Sequence, residues 1–242
     1  MTATLSASLK RGTIVMDRKQ IAKLPVPKST QTFKAVPHLQ LIETLESVLV
    51  ENKIKIQEET FGVGKKGKTI FGVMKLNYSL EHKDGIAALG FRQANNKTMS
   101  IQICAGFSVF VCDNLVFRGD LIALKRRHTS GLDLVSEVRE GIEKFKNHLG
   151  SLETEIKELK EKKITDTFAK ETIHDVFAAK MLPVNFMPQV SHDYFTPPHQ
   201  EFESRTMWSL HNAFTESIKR MPMTTKFFAT QRIGKYFGLT SK

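Results

Sequence analysis

The sequence predicts an α+β fold, an antiparallel sheet of about four or more strands packed by a long helix, with a helical C-terminal part. Three observations carry that expectation. From Met99 onward, Ile101, Ile103, Ala105, Phe107, Val109 and Val111 alternate with Gln102, Cys104, Gly106, Ser108, Phe110 and Cys112. A period of two puts the first set on a core face and the second, mostly small or semi-polar, on the other. Two strand-like runs at 54–63 and 69–79 flank GKKGK at 64–68, a glycine-bounded turn that makes a hairpin with a basic tip. From Val138 the apolar residues recur at 142, 145, 149, 152, 156 and 159, steps of four and three that draw a heptad seam along one helix.

The remaining elements follow in chain order. Residues 1–37 are polar and basic, with prolines at 25, 27 and 37 and no sustained period, and read as a basic arm or irregular lead-in. Pro37 opens a helix whose apolar side is Leu39, Leu41, Ile42, Leu45, Val48 and Leu49, ending near Asn52. Residues 86–94 make a third strand. The strand from Met99 is the fourth and is central, with Gly106 marking a bulge or a close approach. The long helix runs from about 133 to 163. Its seam either packs along the sheet or joins a helical hairpin or a second copy, and Gly141 and Gly150 weigh against a free-standing coiled coil. A helix over 166–181 stops before Pro183, and 183–203 form a loop rich in proline and aromatics. Helices over 204–220, capped by Ser204, and about 224–237 close the chain. The organisation expected is a lead-in over 1–37, an α+β core over 38–164, and a helical region over 165–242 packed on it.

Bulk properties narrow the partners. Hydrophobic residues at 40% and charged residues at 25% are the balance of a soluble globule. No apolar run approaches the roughly 20 residues that cross a bilayer, and MTATLSASLKRG lacks the apolar stretch of a secretory signal. No membrane partner is expected. The two cysteines, Cys104 and Cys112, lie in an apolar run and read as buried free thiols, which fits the cytoplasm of a bacterial cell. The net charge of +11 is uneven, since residues 1–37 carry Lys10, Arg11, Arg18, Lys19, Lys23, Lys28 and Lys34 against only Asp17. Such asymmetry favours a polyanionic partner, and nucleic acid is the first candidate.

Catalytic chemistry finds no support. GVGKKGKT at 62–69 lacks the spacing of a phosphate-binding loop and leads into a strand where a helix is required. His192, Asp193, His199, Glu201 and Glu203 cluster in sequence, but a histidine spacing of seven across two prolines matches no usual ligand set. No catalytic residue, metal or cofactor is expected, and the protein reads as a non-enzyme. Binding remains. The candidate nucleic-acid contacts are Lys65, Lys66 and Lys68 on the hairpin tip, Arg92, Asn95, Asn96 and Lys97 in the next turn, and Arg118, Lys125, Arg126 and Arg127 beyond the fourth strand. Arginine, lysine and asparagine donate to phosphates and base edges. A competing role for Arg92 and Asn95 is to fix a tight turn through backbone groups. Whether the 64–68 and 94–98 turns share one end of the sheet is left open by the sequence.

The same residues carry a resemblance. Gly90-Phe91-Arg92-Gln93-Ala94-Asn95-Asn96-Lys97-Thr98-Met99-Ser100, then Val109 to Asn114 (VFVCDN) and Lys125 to Thr129 (KRRHT), resemble the phage/plasmid-like family known as domain of unknown function 932. Pro37-His38 and the run Thr206 to Glu216 (TMWSLHNAFTE) extend the likeness over most of residues 25–240. An Asp is common in the turn where this chain has Asn95-Asn96. The resemblance implies a protein of a mobile genetic element. The order of hairpin, further strands and long helix is similar to the core of phage single-strand-annealing proteins, which assemble on single strands. Two readings stay open. One is a DNA-binding protein of phage or plasmid recombination or replication, favouring single-stranded DNA, forming homo-oligomers, and stacking bases on aromatics such as Phe91. The other is an anti-defence protein that binds and blocks a host nuclease, restriction or CRISPR complex.

Overall fold

The computed structural model describes residues 13–64, 66–78, 85–109, 115–221 and 223–239, with side chains given outside 85, 107–123, 223, 224 and 227. A six-stranded antiparallel sheet runs in sequence order, β1 (Thr13–Val15), β2 (Lys55–Gly64), β3 (Thr69–Asn77), β4 (Gly85–Ala94), β5 (Ile101–Val109) and β6 (Leu115–Arg126). Helix α1 (Arg18–Ala22) and α2 (His38–Glu51) precede β2, and α3 (Leu134–Glu161) follows β6. Four helices complete the chain, α4 (Asp166–Ala178), α5 (Met187–Phe195), α6 (Met207–Ile218) and α7 (Met223–Tyr236). The α+β class, the hairpin, the central fourth strand and the long helix stand as the sequence predicts.

The alternation sorts the sheet into two faces. Phe61, Val63, Met74, Leu89, Phe91, Ile101 and Ile103 face α2 and the first half of α3 in one buried cluster. Gly72 sits opposite both Phe61 and Phe91 in the register, at the one place where two rings crowd the backbone between them. On the opposite face, one cross-strand row reads Gly62, Phe71, Arg92, Gln102 and Lys125. Helix α7 reaches this face, where the Phe228 ring lies 3.8 Å from the Arg92 guanidinium carbon. The β5–β6 register slips between Ile103 and Gly106, the irregularity that a glycine at 106 predicts.

Helix α3 links two cores. Its seam residues Val138, Ile142, Phe145 and Leu149 belong to the sheet cluster. Leu152, Ile156 and Leu159 belong to a second cluster built with α4, α5, α6 and α7. All seven are buried, so the seam is consumed within the chain and offers nothing to a second copy. Asp133 caps α3 by accepting from Ser136 N at 3.3 Å.

Three expectations are corrected, and one strand is added to those named from the sequence. The lead-in 1–37 contains β1 and α1 among its described residues, with Asp17 and Gln20 forming a capping box. The segment beyond the fourth strand is β6, twelve residues long. The loop at 183–203 contains α5, because Pro188 stands in the first turn of that helix, where proline is tolerated. The cap of α6 is Thr206, which accepts from Ser209 N, and not Ser204. Cys104 is a buried free thiol whose pKa burial pushes upward, while Cys112 lies outside the described residues.

Candidate nucleic-acid interface

Antiparallel pairing settles where the basic loops go. Strand β2 ends and β3 begins at the 64–69 tip, β4 ends at Ala94 opposite Thr69, and β5 begins at Ile101 opposite Arg126. The hairpin tip, the 95–100 turn and the 125–127 segment therefore share one end of the sheet. Asn95 N donates to Lys68 O at 2.8 Å and ties the first two together.

A strap formed by residues 24–37 crosses this end. Val36 N donates to Asn95 Oδ1 at 3.2 Å, and Asn95 Nδ2 donates to Val36 O at 2.8 Å. Gln93 Nε2 donates to Val36 O at 3.1 Å and to His38 Nδ1 at 2.8 Å. His38 Nε2 donates to Gly67 O at 3.1 Å. Farther along, Lys34 N donates to His128 O at 3.1 Å, and His128 Nδ1 donates to Lys34 O at 3.2 Å. These bonds fix His38 as a neutral ring, and burial holds its pKa down at about 4. Burial lowers His128 as well.

The predicted contacts divide by burial. Lys66, Lys68, Asn96, Lys97, Lys125, Arg126 and Arg127 are exposed at this end. Arg92 and Asn95 are buried, at 7% and 6% exposure. Asn95 is committed to the strap. Arg92 projects onto the α7 face, where its Nε donates to Gln102 Oε1 at 2.5 Å and burial lowers its pKa to about 10. Arg126 pairs with Glu137 and Glu140 in the first two turns of α3, so it anchors that helix. Asn96 accepts from Thr98 N at 3.2 Å and from the Thr98 hydroxyl at 2.5 Å, which closes the turn with Lys97 at φ 64°. Lys65 lies outside the described residues, and so does the side chain of Arg118 in β6. Phe91 is fully buried in the core and cannot stack a base.

Charge completes the geometry. The segments that meet here, 24–37, 64–69, 94–101 and 125–132, contain not one Asp or Glu. They carry Lys28, Lys34, Lys65, Lys66, Lys68, Lys97, Lys125, Arg126 and Arg127. Nothing local singles out Lys28 and Lys34, because their nearness to the other loops comes from the strap. Among the described residues no group of three or more His, Cys, Asp or Glu side chains is placed to hold a metal ion. No described helix is long and apolar enough to cross a membrane.

The strap invites a direct test. Asn95→Ala orphans the buried Val36 N–H and is expected to cost about 2 kcal/mol, the usual penalty for a buried group left unpaired. Urea unfolding measures it, and limited trypsin digestion should cut at Lys28 or Lys34 sooner than in the parent. An unchanged midpoint would show that Asn95 does not hold the strap.

Fold and site together define a single-sheet α+β protein whose cationic sheet end is built from segments free of carboxylates. Residues 28–233 match the family described as domain of unknown function (DUF932), and the chain belongs to that family. No curated protein and no solved structure matches it. Asn96 supplies the side-chain acceptor of this turn without adding a negative charge to the cationic end.

Proposed function

We propose that the cationic end of the sheet binds a nucleic-acid backbone, with single-stranded DNA the favoured ligand, in a protein of phage or plasmid recombination or replication. One observation carries this reading. Four segments distant in sequence converge with their described cations exposed and without a single acidic residue among them. From β2 to β6 the end spans about 19 Å at the usual strand spacing, room for several phosphates in a row. Binding of this kind releases counterions and weakens as salt rises.

The test is fluorescence anisotropy with labelled oligo(dT) across a salt series. The parent should bind at about 50 mM salt, with a log–log slope of several units. Replacing Lys66, Lys97, Lys125 and Arg127 with Ala should weaken binding tenfold or more and flatten the slope by about 0.7 for each phosphate no longer neutralised. These side chains are exposed, so the fold should stand. If the parent ignores oligonucleotides at low salt, the reading fails, and the cationic end is left for an acidic protein partner such as a host nuclease. An annealing-type protein would also oligomerise on the strand, through a surface other than the buried seam of α3. Light scattering with and without oligo(dT) reads that directly.

A further inference from the structure

Resting on the nucleic-acid reading, the geometry points to a base-stacking platform at Phe228, on the α7 face of the sheet next to the cationic end. We infer that an unpaired nucleobase lies on the Phe228 ring while its flanking phosphates meet Lys125 and Arg232. This makes the preferred ligand a single strand.

The platform is built from three elements. Phe228 is 40% exposed. Its ring is backed by the Arg92 guanidinium, whose central carbon lies 3.8 Å from the ring centroid in a cation–π contact. Arg92 is itself pinned by Gln102, and the next residue in that cross-strand row is the exposed Lys125. On α7, Arg232 and Lys235 follow Phe228 at steps of four and three, and both are exposed along the same helical stripe. An exposed ring on a face that also carries exposed cations suits single strands, where bases stack on aromatics and cations track the backbone. A duplex hides the faces of its bases and gains nothing from the ring. This also assigns a purpose to Arg92, which the sequence suggests as a phosphate contact and the fold places beneath the ring.

Two variants separate stacking from simple charge. Phe228→Leu keeps an apolar cover over Arg92 and removes the π face. It should weaken oligo(dT) and oligo(U) binding at least fivefold, the lower end of what stacking one base contributes. Affinity for a duplex of equal charge should stay within twofold. Phe228→Trp places a reporter on the platform, with buried Trp208 as the constant background. Its emission should be quenched by oligo(dT) or oligo(U) and not by inorganic polyphosphate, which has charge and no bases. Equal quenching by polyphosphate, or no quenching by a bound oligonucleotide, overturns the platform even if the Leu variant fails to fold. Parent binding with an unaffected Leu variant sinks this inference and leaves the proposed function standing. Absent parent binding sinks both.

Discussion

Gly72→Ala is expected to cost at least about 3 kcal/mol, at or above the upper range for overpacking a buried site. A Cβ at this position would lie 2.2 Å from one ring carbon of Phe91 and 3.0 Å from one of Phe61. Neither ring can retreat, since Phe91 is fully buried and Phe61 is 2% exposed. Their centroids stand 6.0 Å apart across the glycine. The methyl must push rings off their rotamers or bow β3 away from its neighbours, and both outcomes strain a close-packed interior. Urea unfolding gives the loss. The mechanism has its own check in a paired variant. Phe91→Leu alone opens a cavity and destabilises, yet combined with Gly72→Ala it should restore stability relative to Gly72→Ala, because the new methyl occupies the space the ring vacated. A double variant no better than Gly72→Ala would show that the backbone, and not the ring, is what the methyl meets.

Acid is the second large lever. Burial holds the pKa of His38 at about 4 and that of His211 at about 3, and it lowers His128 too. Unfolded, each would titrate near 6.5. The unfolded chain therefore binds more protons than the native one in the intervening window. Stability is complete above about pH 7 and falls as the pH drops through 6.5 toward 4 and 3. A shift of this size in His38 is worth about 3 kcal/mol, and His211 adds a loss of the same order. Their sum rivals the whole stability of an ordinary domain, about 5–15 kcal/mol. The local reasons differ. Protonated His38 would turn its Nδ1 into a donor facing the Gln93 amide, which cannot present its oxygen without giving up Val36 O. His211 lies stacked on Trp208 at 5.6 Å with both ring nitrogens lacking a hydrogen-bond partner among the described residues, so a charge there has nothing to answer it. Urea midpoints at pH 7.5, 6, 5 and 4 test this. A midpoint that holds steady from 7.5 to 4 would show that these rings are not kept neutral by the fold.

Much of the sheet is legible in the sequence, because a strand with one face under helices must alternate. Strands β2 to β5 do so visibly. Strand β6 is hidden because Arg118, Gly119 and Asp120 interrupt its alternation and its register against β5 is irregular. Strand β1 is too short to show a period. The seam of α3 is plain but its two uses are not, since a heptad pattern reports what is buried and not against which partner. The site divides the same way. Lysines on turn tips read correctly as exposed cations. Arg92 and Asn95 have equally polar side chains, yet both are buried by groups 136 and 59 residues away in sequence, Phe228 and Val36, and local chemistry carries no trace of such partners.

The strap has a consequence for synthesis. Ribosomes release the N-terminus first, at about 5–20 residues per second, so residues 24–37 emerge long before anything can receive them. Asn95 follows Val36 by 59 positions, and His128 follows Lys34 by 94. Until then a cationic ribbon with a row of unpaired amides waits beside an RNA-rich machine. The final docking of that ribbon, after β6 has been laid down, is the moment at which the charged sheet end first exists as a surface.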